Sequence, residues 1–181
     1  MTSAYPGIPV YPISAKTGDG IAQLCDCLMT SAARLEEVDT GYGGNEFMAA
    51  EAVLSWYDSR FFIKKDAAFS GVNFARDYIE AIRRGLKANG RNIPHLKIFV
   101  TGDDGDCAKA SLIGVDYDVI FDCRLAGEYD RYGVIVNARA ACESVVLEEL
   151  MESALNDTAA RYDLNCRVFA TECFGMTEEG A

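Results

Sequence analysis

A polar loop between a short apolar run and an amphipathic helix constrains this chain more than any other stretch. Ile8, Val10, Tyr11 and Ile13 form the run. Pro9 and Pro12 interrupt it, so a strand there is short or lies at a sheet edge. Ser14-Ala15-Lys16-Thr17-Gly18-Asp19-Gly20 makes the loop. Ile21, Leu24, Cys25, Leu28, Ala32 and Leu35 then fall on one stripe of a helix expected over residues 19–37, with Asp19 as its cap. The loop sits at the carboxyl end of the strand, where open α/β sheets hold ligands. Only residues 1–7 precede the run, and one strand and one helix make no sheet. The expectation is that residues 1–40 are the remnant of a larger α/β domain.

Gly41, Gly43 and Gly44 mark residues 41–46 as a linker. Residues 47–176 then read as a second domain. Residues 52–63 are rich in aromatic and β-branched side chains and predict a strand. Ser70 caps a helix that carries Phe74, Tyr78, Ile79, Ile82 and Leu86 on one face, and Asn89-Gly90 ends it. Strands are expected over residues 96–101, 107–113 and 117–124, with a turn at residues 128–131. Val134, Val136 and Ala138 share one face of the next strand. Ser144 is expected to cap a second helix bearing Leu147, Leu150, Met151, Ala154, Leu155 and Thr158, and residues 166–174 form the closing strand. Strand, helix, strand, extra strands, helix, strand is the order of two split βαβ units. The fold class expected is α+β, a ferredoxin-like split βαβ sheet with extra strands, preceded by a residual strand-loop-helix.

The charge balance narrows the partners. The chain has 181 residues, 17 Lys and Arg against 28 Asp and Glu, and a formal net charge of -11. Such a balance argues against nonspecific nucleic-acid binding, which needs clustered cations. No apolar run reaches the ~20 residues of a membrane helix, and the first dozen residues are no signal peptide. A cytoplasmic protein is expected. The seven cysteines are scattered and odd in number. In a reducing compartment they read as small core hydrophobes.

Ser14-Ala15-Lys16 after a strand resembles the last guanine-recognition loop of P-loop GTPases. The longer Ser-Ala-Lys-Thr-Gly-Asp-Gly-Ile at the start of a helix resembles the end of the G domain in the CobW/HypB/UreG family. Three further blocks, Ala50 to Asp58, Ile93 to Lys97 and Gly133 to Arg139, resemble the region that follows the G domain in a CobW-like subgroup. The resemblance implies that a loop N–H bonds the guanine carbonyl while the Lys16 stem lies on the base. It implies a link to metal or corrinoid (cobalamin) cofactor handling. The end departs from the subgroup, since Gly-Met-Thr-Glu-Glu-Gly-Ala stands where a basic, proline-rich tail is expected.

The chain has no Gly-x-x-x-x-Gly-Lys-Ser/Thr, and no Asp-x-x-Gly or Asn-Lys-x-Asp precedes Ser14. GTP and its Mg ion therefore belong to a full-length relative, and this chain alone is not expected to be an enzyme. The function implied is a noncatalytic accessory domain of a CobW-like GTPase. Its partners would be the missing GTPase domain or a partner subunit, and a target protein in metal or corrinoid handling. Ser14, Ala15 and Lys16 would contact the base only beside a complete G domain. A standalone ferredoxin-like module, binding a small molecule or forming a homodimer, is the alternative.

Other candidates are weaker. Cys25 and Cys27 are two apart on a helix and face away from each other, which disfavours a shared metal; Cys25 falls in the apolar stripe. Cys166 and Cys173 bracket a strand, whereas Cys107, Cys123 and Cys142 can meet only through the fold. His95 and the acidic loop Asp103, Asp104 and Asp106 would suit a third hypothesis, an enzyme in which they converge. Trp56, Tyr57, Phe61 and Phe62 lie on one strand and read either as core on one face or, since alternation sends the two faces apart, as half packed against the missing G domain or another subunit.

Overall fold

The computed structural model divides into two compact units, Met1–Tyr42 and Gly43–Ala181. It describes residues 10–30 of the first and 52–175 of the second. The linker expected at residues 41–46 lies outside the described residues. Among them, no helix is long and apolar enough to cross a membrane.

In the first unit, residues 10–14 carry no strand, contrary to the sequence expectation; Ile8 and Pro9 lie outside the described residues. Pro12 removes a ladder donor within this five-residue stretch. The helix α1 spans Ile21–Thr30. Asp19 is not its side-chain cap: its carboxylate accepts from the Thr17 hydroxyl at 2.6 Å, inside the loop. Gly20 turns the chain into the helix with φ 73°, and a Cβ there would collide with the Pro12 carbonyl oxygen.

The second unit is α+β. Its strands are β1 (Ser55–Phe69), β2 (His95–Thr101), β3 (Cys107–Leu112), β4 (Ile120–Cys123), β5 (Tyr129–Ala140) and β6 (Asn165–Gly175). Helix α2 (Gly71–Ala88) follows β1, and α3 (Ser144–Tyr162) follows β5. The strands form one sheet in the order β4-β3-β2-β5-β1-β6, with every neighbouring pair antiparallel.

Alternation decides which side chains enter the core. Tyr57, Phe61 and Ile63 on β1, Leu96, Ile98 and Val100 on β2, and Val134, Val136 and Ala138 on β5 are buried on one face. Both helices lie on that face: Phe74, Tyr78, Ile79, Ile82 and Leu86 of α2 meet Leu147, Met151, Ala154 and Leu155 of α3 over the strands. Tyr78 meets Phe61 edge-on at 6.3 Å, and its hydroxyl donates to the Met151 carbonyl at 3.3 Å. Ser70 caps α2 as expected, its Oγ accepting from Asn73 N–H at 3.2 Å. The helix ends where Gly90 takes φ 62° and Arg91 N–H returns to the Leu86 carbonyl at 2.9 Å.

Four boundaries differ from expectation. Strand β1 starts at Ser55 and runs on to Phe69, with a register shift after Lys64, because its pairing with β5 resumes at Phe69↔Tyr129. Tyr129–Arg131 is strand rather than turn; the Tyr132 hydroxyl accepts from Tyr129 N–H and donates to the Phe69 carbonyl, fixing this end of β5 against β1. Strand β4 is only four residues long. Ser144 is the first residue of α3, not its cap; the cap position is Glu143, without a side-chain cap bond.

Candidate functional site

Three places gather the chemistry. The first is the loop before α1. Ser14 N–H donates to the Asp19 carbonyl at 2.9 Å, Gly18 N–H to the Ser14 carbonyl at 2.8 Å, and Thr17 N–H to Ser14 Oγ at 3.2 Å. These bonds close the loop on itself. Ala15 and Lys16 stand exposed at its tip, and their N–H groups donate to no protein group among the described residues. Ser14 thus shapes the loop, while Ala15 and Lys16 take no part in closing it. No described residue of α1 is buried.

The second place is the sheet face away from the helices. The four clustered aromatics of β1 split by alternation: Tyr57 and Phe61 are core, whereas Trp56 and Phe62 stand on the open face. Trp56 stacks on Phe174 of β6, centroids 6.1 Å apart at 12°. Arg139 of β5 lies over the Trp56 ring, its guanidinium carbon 3.4 Å from the centroid. Phe62 meets Phe169 edge-on at 5.0 Å. Phe62, Phe99, Ile135 and Phe169 remain 37–53% exposed. Arg60, Lys64 and Lys97 join them, and none is in an ion pair among the described residues. Asp58 on the same face accepts from the Asn137 amide at 2.8 Å. Trp56 Nε1 and Arg139 Nε are, among the described residues, the buried side-chain polar atoms without a hydrogen-bond partner.

The third is a thiol pair. Cys107 on β3 and Cys123 on β4 place their sulfurs 4.0 Å apart. Burial, the Cys123 thiol and Asp106 hold the Cys107 thiol above its ordinary range. Cys142, which could have met them only through the fold, is buried beyond the other end of β5. Cys25 is exposed rather than packed, and Cys27 accepts from the Tyr11 hydroxyl at 3.0 Å. Cys173 donates to the Ser144 carbonyl at 3.2 Å. No group of three or more His, Cys, Asp or Glu that could hold a metal occurs among the described residues.

His95 and the acidic loop do not converge. His95 opens β2 and the loop follows its end, so the length of the strand separates them by about 20 Å. Burial, Lys97 and Arg139 push the His95 pKa down, and no carboxylate among the described residues offsets them. Asp106 instead organises its own loop, its Oδ2 accepting from Ala126 N–H, Gly127 N–H and the Tyr129 hydroxyl at 2.9–3.2 Å. Burial opposes ionisation of Asp106, but these bonds, led by Gly127, outweigh it and hold its carboxyl below the ordinary value. Asp103 pairs with Arg131 at 3.5 Å.

Sequence reasoning missed Arg139 and the separate pairing of Cys107 with Cys123. Both depend on strand register, which alternation within a single strand does not reveal. No family model, no curated protein and no solved structure matches the chain.

Proposed function

We propose that this chain is a noncatalytic accessory domain of a CobW-like GTPase in metal or corrinoid handling, which passes the nucleotide state of a G domain to a target protein. The observation that carries the reading is the loop before α1. A closed turn presents the Ala15 and Lys16 N–H groups at an exposed tip, the arrangement a purine carbonyl needs. Guanine offers an acceptor there and adenine a donor. The residues present fit the base and not the triphosphate, for no phosphate loop or Mg ligand accompanies them.

Two further observations support the reading. Across the sheet, β6-β1-β5-β2 with α2 and α3 follows the order of two split βαβ units, β3 and β4 being an added hairpin, which agrees with a ferredoxin-like domain. Its open face is cationic and aromatic in an acidic chain, and aromatic side chains with Arg are enriched where proteins dock. The complementary partner is an acidic surface of a G domain or a partner subunit.

The test is association of this chain with a CobW-like G domain, loaded with GTP or with GDP and followed by light scattering. Association that differs between the two nucleotides supports the relay, and none in either state contradicts it. Exposed Phe62, Phe99 and Ile135 favour one second reading, a homodimer closed over the open face. Sedimentation separates the two, because a stable dimer of the chain alone would occupy the face.

A further inference from the structure

The structure assigns Cys107 and Cys123 as a two-thiolate site for a soft monovalent cation of the Cu(I) type, on the outer edge of the open sheet face. The sulfurs already stand 4.0 Å apart. Two thiolates each about 2.3 Å from one ion are at most about 4.6 Å apart, so a single ion fits between these with little movement. A disulfide fits less well. Cys123 is directly opposite Lys109, and Cys107 is two residues further along β3, so the two cysteines are a diagonal pair. Diagonal neighbours are separated by about 7–8 Å. A disulfide needs its Cα atoms within about 7 Å and its sulfurs at about 2 Å. A bridging ion spans the gap that a covalent bond would have to close.

The number of donors selects the ion. No third His, Cys, Asp or Glu completes the group among the described residues. A closed zinc site takes four ligands. Two thiolates alone satisfy a soft cation that accepts linear coordination, and thiolate ligands select for Cu(I). Asp106 and Asp122, the carboxylates next to the two cysteines in sequence, are both engaged, Asp106 by Ala126, Gly127 and Tyr129 and Asp122 by Lys109 at 2.9 Å.

Position suggests transfer rather than storage. Cys123 is exposed and Cys107 partly so. Register places both on the face that carries Phe99 and Lys97, so a partner docked there would have the ion at its margin. Only this purpose rests on the metal-handling reading above. The binding itself requires neither GTP nor a G domain, so the two can fail separately.

The test uses the full chain, reduced and free of oxygen, titrated with Cu(I) against a chromogenic Cu(I) chelator. One tight equivalent is expected. Cys123→Ser, at an exposed position that the fold does not depend on, weakens that equivalent by more than roughly 100-fold, beyond the 10–100-fold typical of losing an outer-shell partner. Cys107→Ser does the same with an unchanged far-ultraviolet dichroism spectrum, while the double substitution Cys25→Ser and Cys27→Ser leaves the equivalent in place. Retention of tight binding in Cys123→Ser overturns the assignment. So does its loss on substituting Cys25 and Cys27, or a Cys107–Cys123 disulfide found by mass mapping of the titrated protein.

Discussion

Arg139 lies over Trp56 on the open face, its guanidinium carbon 3.4 Å from the ring centroid, and each side chain holds a buried nitrogen with no hydrogen-bond partner among the described residues. A cation over an indole contributes about 0.5–2 kcal/mol, whereas an unsatisfied buried donor costs about 1–3 kcal/mol. The two effects nearly cancel in the free chain. Arg139→Leu should therefore change unfolding free energy by less than about 1 kcal/mol in urea denaturation. The same substitution should weaken docking to a G domain by at least about 2 kcal/mol, as loss of a hot-spot Arg does.

Phe61 and Phe62 are adjacent in sequence and opposite in role. Phe61 is 2% exposed against Tyr78, and Phe62 is 46% exposed beside Phe169. Phe61→Ala should cost about 3–5 kcal/mol of stability. Phe62→Ala should cost less than about 1 kcal/mol while reducing association with a partner or a second copy. Equal destabilisation by the two, measured by denaturant midpoint, would show that the second face is also core.

That contrast marks how far the sequence could be read. Alternation along β1 separated Tyr57 and Phe61 from Trp56 and Phe62, yet it could not say which pair met the helices. The α2 boundaries were legible because Ser70 and Asn89-Gly90 are strong local signals. The run of β1 past Lys64 was not, since Lys64-Lys65-Asp66 is polar and its order comes from pairing across to Tyr129. Ser144 misled because a Ser before an apolar helix resembles a cap, although the chain enters the helix one residue earlier. The Cys107–Cys123 pair was out of reach, because it depends on the register of a four-residue strand.

Gly20 and Gly18 both take left-handed backbone conformations, at φ 73° and 82°. A side chain at Gly18 meets nothing within 4 Å, whereas one at Gly20 strikes the Pro12 carbonyl. Gly18→Ala should cost only the backbone penalty of about 1–2 kcal/mol within the loop. Gly20→Ala should open the loop. Hydrogen exchange at the Ser14 and Gly18 amides reports this: protection should fall much further in Gly20→Ala than in Gly18→Ala.

Asp106 makes stability depend on acid. Its folded pKa is below the ordinary value of 3.8. The folded state therefore binds fewer protons than the unfolded state in that range. The stabilisation is complete above the unfolded value and is lost as pH falls through the folded one. Denaturation midpoints from pH 7 down to pH 2 should decline in the native chain. In Asp106→Asn the midpoint should be lower at pH 7 and the acid-side decline shallower; an unchanged slope would remove Asp106 from the loop's energetics.

The tip formed by Ala15 and Lys16 is proposed to read a guanine only when a G domain supplies the grip on the phosphates. Calorimetric titration with GTP and Mg measures this directly. No heat of binding is expected from this chain alone, whereas the same chain joined to a complete CobW-like G domain should bind GTP and lose affinity when Lys16 is replaced by Ala. Tight, stoichiometric GTP binding by the chain alone would contradict the account.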